Sequence, residues 1–347
     1  MSALPRQLDT CIVALGARTP LGLRAQPSAM AAHAGIARRA EHPYMVDRRG
    51  DPLVVAMDST LDVHPWQERM LALATSALDE VCETLPLSRE VGLPLFLGLP
   101  ELGRFFTEAD ATALCRRLAQ QFGRAALQPA PVPEGNASPI VALERALAGV
   151  RAGTFPIAIV GGVESYLDPA RLDALDAASR IAARTIRWGL CPGEGAAMFA
   201  VCKGTFARQY RLPILAWIGG TKVTHEPAAM HVDAVCTGEG LAQAMAAAAA
   251  AAGVSVTKQY CDIDGERYRE HEFSFAILRV APATFVDAID YVAPANLWGQ
   301  CGAAGAVMLA TIPIVTHARG HSPGPWPMVW CGSEGGRRGA VVLHLPS

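Results

Sequence analysis

The 347-residue chain lacks an excess of positive charge, lacks clustered cysteines and lacks any long, strongly apolar run. Charged residues make up 18% of it and the formal net charge is −2. A protein that grips nucleic acid or another polyanion needs a basic excess, so that class is set aside. Local pairs such as Arg38-Arg39 and Arg337-Arg338 read as solvated surface. The nine cysteines, at 11, 82, 115, 191, 202, 236, 261, 301 and 331, show neither CxxC nor zinc-finger spacing. Scattered thiols in odd number fit a reduced, cytoplasmic protein. His225 and His231 stand six apart with Pro227 between them. Zinc-binding helices need two histidines four apart on one face, so no metal is expected, and no cofactor. The first residues carry no apolar secretion signal. The most apolar helical stretch, 241–254, is short and mostly alanine. A membrane span needs about 20 strongly apolar residues.

What the chain does have is apolar content, 51%, ample for a large core. Short apolar runs that end in glycine read as buried strands, 11–16, 93–98 and 157–162, and 190–202 reads as a glycine turn followed by another buried strand. Helical spacing marks 66–85, 105–122 and 139–152, the last with Gly153 placed as a C-cap. The stretch 129–133 reads as a proline-rich approach to Gly135-Asn136. A second half begins near Leu212 and repeats the alternation. Strand 212–220 leads to helix 240–252, a strand with a polar loop over 259–267, helix 270–278, a glycine loop, and a last strand over 339–345. Alternating strands and helices predict an α/β fold with a largely parallel sheet. The boundary is expected between 1–210 and 211–347, although internal similarity is too weak in sequence to assert a repeat.

Six segments, in order, carry a family resemblance. They are the strand and turn of 12–22 ending Thr-Pro-Leu-Gly; Gly161-Gly162-Val-Glu164; the loop 187–197 with Gly193-Glu194-Gly195; Thr224-His225-Glu-Pro227; Gly299-Gln300-Cys301-Gly302-Ala-Ala-Gly305; and Gly335-Gly336 before the final strand. The chain resembles the β-ketoacyl synthases of the thiolase-like superfamily. The resemblance implies an α/β, five-layered αβαβα fold made of two similar halves. It makes Gly161, Gly162, Glu164, Gly193, Glu194, Gly195, Gly302, Gly305, Gly335 and Gly336 the loops that hold the architecture.

The family's chemistry needs a cysteine at a helix N-terminus, where the dipole favours a thiolate and backbone amides stabilise an oxyanion. Two histidines and a lysine assist it. Counting back from Gly153 and Gly161, the nucleophile's position falls on Asn136, with Ala137 and Ser138 next. Asp264 stands for the first histidine, Gln300 for the second, Ala295 for the lysine and Trp188 for a loop aspartate. The pocket implied is Asn136, Ala137, Ser138, Trp188, His225, Asp264, Trp298, Gln300 and Cys301. Neither nucleophile nor imidazole remains at the matched positions, so condensing activity is not expected.

Three functions remain. The first is a non-catalytic, chain-length-factor-like subunit, as a homodimer or as a heterodimer with an active ketosynthase, that meets an acyl carrier protein. The second is an adaptor or scaffold outside fatty acid and polyketide synthesis. The third is an acyltransferase or hydrolase that uses Ser138, whose commoner role is an ordinary first-turn serine. Glu194 reads as a buried structural carboxylate, and Cys191 and Cys301 as buried packing.

Overall fold

A computed structural model describes residues 8–61, 65–87 and 92–346. The opening apolar run is β1 (Thr10–Arg18), followed by α1 (Ala25–His33). A two-stranded hairpin, β2 (Ala40–Val46) and β3 (Pro52–Val55), comes next, where sequence periodicity predicts nothing. In α2 (Trp66–Cys82) the residues Met70, Leu73, Ala74, Ala77, Leu78 and Val81 form one buried face. After β4 (Gly92–Gly98), α3 (Glu108–Gln121) starts three residues later than its apolar pattern suggests. Thr107 sets that start: its hydroxyl accepts the Asp110 amide and its own amide donates to the Asp110 carboxylate.

The proline-rich stretch turns out to contain a strand, β5 (Ala126–Val132), and a tight turn over Gly135–Ala137 leads into α4 (Ser138–Ala152). Pro139 opens that helix, and Gly153, at φ 75°, closes it in the left-handed conformation. Then come β6 (Ile157–Ser165), α5 (Pro169–Ala177), β7 (Glu194–Lys203) and α6 (Gly204–Gln209). The remainder runs β8 (Ala216–His225), α7 (Glu239–Ala252), β9 (Lys258–Cys261), α8 (Arg267–Arg279), β10 (Tyr291–Val292) and α9 (Ala295–Trp298). A turn over Gly302–Ala304 opens α10 (Gly305–Ala318), and β11 (Pro327–Gly332) and β12 (Arg337–His344) finish it.

Ten strands form one sheet in the order β10-β9-β11-β12-β8-β1-β7-β6-β4-β5. If β1, β4, β5, β6 and β7 are renumbered 1 to 5, and β8 to β12 likewise, both sets read 3-2-4-5-1 from their outer edge. The directions match too. In each set strand 2 is parallel to 3 and 4, and strand 5 is antiparallel to 4 and 1. The repeat that residue identities leave too faint to assert is plain in the topology. The two sets meet where Cys11 pairs Trp217 and Ile12 pairs Ala216.

The layers follow from which faces are apolar. In the first set α2 packs on β1, β6 and β7, and α3 on β5, over a core with Leu73, Leu78, Leu95, Leu97 and Met198. In the second α7 covers β8 and β12, with α8 against it, over Met245, Phe273, Met328 and Trp330. Between the two five-stranded sets lie α4 and α10, each touching strands of both. This middle core holds Ile140, Leu143, Leu147, Val307, Leu309 and Ile312. The result is the five-layered αβαβα arrangement with a large mixed sheet. Among the described residues no helix is long and apolar enough to cross a membrane.

Candidate functional site

The middle-layer helices α4 and α10 both begin beside the seam between the two sets. Their opening turns, Gly135–Ala137 and Gly302–Ala304, lie against each other. Small residues make that possible. A Cβ on Gly162 would overlap the Ala303 carbonyl, and one on Gly302, at φ 44°, would overlap the Glu164 carboxylate.

This seam brings together Asn136, Asp264 and Gln300, through two residues that sequence reasoning did not single out. Asn136 Nδ2 donates to Asp262 Oδ2 at 2.8 Å. The same oxygen accepts the Gly332 amide at 3.1 Å and Arg269 Nη1 at 3.2 Å. Arg269 Nε donates to Asp264 Oδ2 at 3.0 Å, and Nη1 to the Gly332 carbonyl at 2.6 Å. Gln300 Nε2 donates to Asp264 Oδ2 at 2.5 Å, while its Oε1 accepts the Gly302 amide at 3.1 Å. The result is one continuous buried chain, Asn136–Asp262–Arg269–Asp264–Gln300. Burial works against the Arg269 charge, but Asp262 and Asp264 hold it well on the charged side. No thiol and no imidazole belongs to this chain of contacts.

The signal for Asp262 and Arg269 was present in the sequence. Two aspartates two apart in an extended segment point the same way, and buried carboxylates call for a cation. The next helix opens with two arginines, Arg267 and Arg269, and the structure uses the second.

The other expected pocket residues divide. Ala137 lies in the opening turn, where its amide donates to Ser333 Oγ at 2.8 Å. Ser138 is fully buried, its hydroxyl has no hydrogen-bond partner, and a Cβ on Gly98 would stand 2.6 Å from it. The hydroxyl is therefore shut against β4 and has no route to an acyl donor. Replacing it should relieve a buried unsatisfied group, so Ser138→Ala is expected to leave the melting temperature unchanged or to raise stability by up to about 1 kcal/mol. Thermal unfolding checks this.

Trp188 is a correction. It is 54% exposed and stacks its ring over the Arg267 guanidinium at 5.4 Å, outside the seam. His225 is a second correction: it is exposed at the end of β8, beside Gly336. Trp298 and Cys301 are buried, with Cys301 Sγ 3.3 Å from the Glu194 carbonyl and 3.4 Å from that of Trp298. Burial pushes this thiol far above its ordinary range, which removes it as a nucleophile. Glu194 is buried and accepts the Asp58 amide at 2.9 Å, Ser165 Oγ at 3.0 Å and the Arg69 fork.

A cavity of about 490 Å³ opens above Asn136, which forms part of its wall. Asp264 and Gln300 do not line it. Its walls are the 100–106 loop, α5, and a set of ion pairs. Arg171 Nη1 meets Glu164 Oε1 at 2.8 Å and lies over the Tyr166 ring at 3.6 Å. Arg180 forks onto Glu266 at 2.7 and 2.8 Å and onto Glu334 at 2.7 and 3.2 Å; Glu334 also meets His231 at 2.9 Å. Glu101 accepts the Gly335 amide at 2.9 Å. Burial pushes Glu101 and Glu164 up.

Burial pushes Glu334 up as well, but the Arg180 hydrogen bonds and charge win and hold it at about 2. A carboxylate depressed in the folded state stabilises above its unfolded value, about 4.3, and that stabilisation is lost as pH falls towards about 2. Glu334→Gln should therefore be less stable at neutral pH and should lose less further stability between about pH 4.5 and about pH 2. Melting curves of both proteins across that range test the slope.

Among the described residues, one group elsewhere has ligand-type atoms close together. Glu226, Cys236 and Glu272 offer theirs within 4.8 Å. The Arg338 Nε already donates to Glu272 at 2.6 Å and the Gly240 amide to Glu226 at 2.8 Å, so a guanidinium takes the cation's place.

Residues 99–207, which include Asn136, Gly161, Gly162, Glu164 and the 193–195 loop, match the family model "Beta-ketoacyl synthase, N-terminal domain". No curated protein matches the sequence. Among solved structures, the chain is similar to that of a type II PKS acyl-carrier protein in complex with its ketosynthase bound to the hexaketide, AntDE:AntF. The TM-score is 0.81 at 15% identity, covering 97% of this chain and 99% of that one. It is similar to the ishigamide ketosynthase/chain length factor, with a TM-score of 0.69 at 18% identity, covering 98% and 100%. It is also similar to the ketosynthase from module 6 of the bacillaene synthase of Bacillus subtilis 168, with a TM-score of 0.75 at 14% identity, covering 98% and 72%. Strand order and layering agree with these structures: the chain has the thiolase-type fold of the ketosynthases, and its residues 99–207 are similar to the ketosynthase N-terminal domain.

Proposed function

We propose that the protein is a non-catalytic ketosynthase-type subunit, of the chain-length-factor kind, working beside an active ketosynthase in an acyl-condensing complex. The observation that carries this reading is the buried chain Asn136–Asp262–Arg269–Asp264–Gln300. Three of its members, Asn136, Asp264 and Gln300, are the residues that the sequence resemblance matches to the nucleophile and its bases, and each member already has its partner. Carboxamides cannot form a thioester under these conditions, and carboxylates locked on a guanidinium are poor bases. The halves 1–210 and 211–347 are the units of this subunit, and the unpaired, buried thiols fit a reducing cytoplasm.

The test is intact-mass spectrometry after incubation with acyl-CoA and acyl-loaded carrier protein, together with purification from cells that also make a candidate ketosynthase. No adduct and a stable complex are expected. A stoichiometric acyl adduct would overturn the reading and would name the nucleophile.

An adaptor role outside acyl condensation has one observation in its favour. The cavity above Asn136 carries Glu164, Arg171, Arg180 and Glu334 beside the apolar Leu102, Phe105, Phe106 and Leu175, and charged groups of this kind suit a polar ligand or partner better than a bare acyl chain. Titration with acyl carrier protein separates the two: binding supports the condensing complex, and its absence supports the adaptor. The enzyme reading through Ser138 has the closed hydroxyl against it.

A further inference from the structure

Strand β5 ends the ten-stranded sheet, and no strand among the described residues pairs with its outer side. An open edge of this kind is an invitation to another strand. Its inner side bonds β4 in parallel, with Leu95 opposite Pro129 and Leu97 opposite Pro131. The Val132 carbonyl accepts the Leu99 amide at 3.0 Å, so Val132 faces β4. Within a strand, the N–H and C=O of one residue point to the same side, and successive residues alternate. Residues 126, 128 and 130 therefore also face β4, and 127, 129 and 131 face outwards. Pro133 continues the outward series just past the strand's end.

Every outward position from 129 to 133 is thus a proline. Over about 13 Å the edge has carbonyls but no donor, and pyrrolidine rings stand where an incoming backbone would lie. The inward positions, 128, 130 and 132, are Gln, Ala and Val, and keep the amides that β4 needs. The placement is one-sided: a proline at any of those inward sites would break the ladder to β4.

We infer that this edge is closed to strand addition, so that neither a second copy of the chain nor a strand of another protein extends the sheet beyond β5. A partner meets this side through side chains or docks elsewhere. The inference stands whether or not the chain condenses acyl groups, and it constrains how the complex proposed above can be built.

The experiment compares the wild-type chain with Pro129→Thr/Pro131→Thr/Pro133→Thr, by light scattering and by hydrogen–deuterium exchange across residues 124–134, over a wide range of protein concentration. In the wild-type the Leu127 amide, the one outward donor of β5, is expected to exchange at the same fast rate at every concentration. In the variant the three new outward amides are expected to exchange at least about tenfold more slowly as concentration rises, in step with self-association. Concentration-dependent slowing at Leu127 in the wild-type would overturn the inference. So would a folded variant whose new amides stay unprotected, because the prolines would then not be what closes the edge. A wild-type dimer with Leu127 still unprotected supports it, since that dimer joins elsewhere. If the triple variant does not fold, Pro131→Thr, at an exposed position, adds one outward amide and is read in the same way.

Discussion

Arg269→Met is expected to remove about 3–5 kcal/mol of folding stability, enough to leave little folded protein at 37 °C. The guanidinium is buried, with a side-chain exposure of 6%, and it is the cation shared by Asp262 and Asp264. Without it two carboxylates remain in a space that excludes water, one of them still tied to Asn136 and the other to Gln300. Each would have to take up a proton or admit solvent. The Gly332 carbonyl would lose its donor as well. Urea unfolding measures the loss. A triple variant, Arg269→Met with Asp262→Asn and Asp264→Asn, should recover a large part of it, because the stranded charges go with the cation. If the single variant were as stable as the wild-type, the chain of contacts that fills the seam would not be what holds it.

Gly162→Ala is expected to be as damaging by a different route. The new methyl would meet the Ala303 carbonyl of the turn that opens α10, and the Pro139 ring at 3.2 Å. Neither is the far end of a flexible side chain, so relief needs the two middle-layer helices to part. Overpacking of this kind costs about 1–3 kcal/mol where side chains can give, and more where backbone must move. A loss above about 3 kcal/mol, or failure to accumulate as soluble protein, is the expected outcome. Two other glycines calibrate it. Gly103→Ala meets nothing within 4 Å and has no positive φ, so it should be neutral within about 0.5 kcal/mol. Gly153→Ala also meets nothing but sits at φ 75°, and should cost about 1 kcal/mol for conformation alone. Urea midpoints for the three, measured together, separate collision from backbone strain.

Much of the fold is legible in residues because burial on two faces leaves a simple mark. Ile157-Ala-Ile-Val160 can only be an inner strand, and β6 is buried along its whole length. The glycines of the seam were legible for the same reason: a backbone that must pass close to another leaves no alternative residue. What stayed hidden was set by neighbours distant in sequence. The strand at 126–132 hides behind its prolines, since nothing local says that they all turn outwards. Asp262 and Arg269 were missed because attention fell on the position where a histidine was expected, Asp264, and not on the charge balance around it. Trp188 was drawn into the pocket by its place in a loop, although a side chain next to Gly189 is free to turn to solvent. The duplicated topology was invisible because strand order is a property of pairing, and the pairings span up to about two hundred residues, as from Thr10 to Lys203.

The shared middle layer also bears on how the chain is made. Helix α4 is synthesised early, but part of its apolar surface is covered only by β8, α10 and β12, which arrive later in that order. At about 5–20 residues per second, a ribosome that has finished β7 needs on the order of ten seconds more to deliver α10. Throughout that interval the nascent chain carries an uncovered sticky face and holds β1 without its neighbour β8. Its dependence on chaperones during translation should be concentrated in that window, and a nonsense codon placed between β7 and α10 should yield insoluble fragments rather than a stable half.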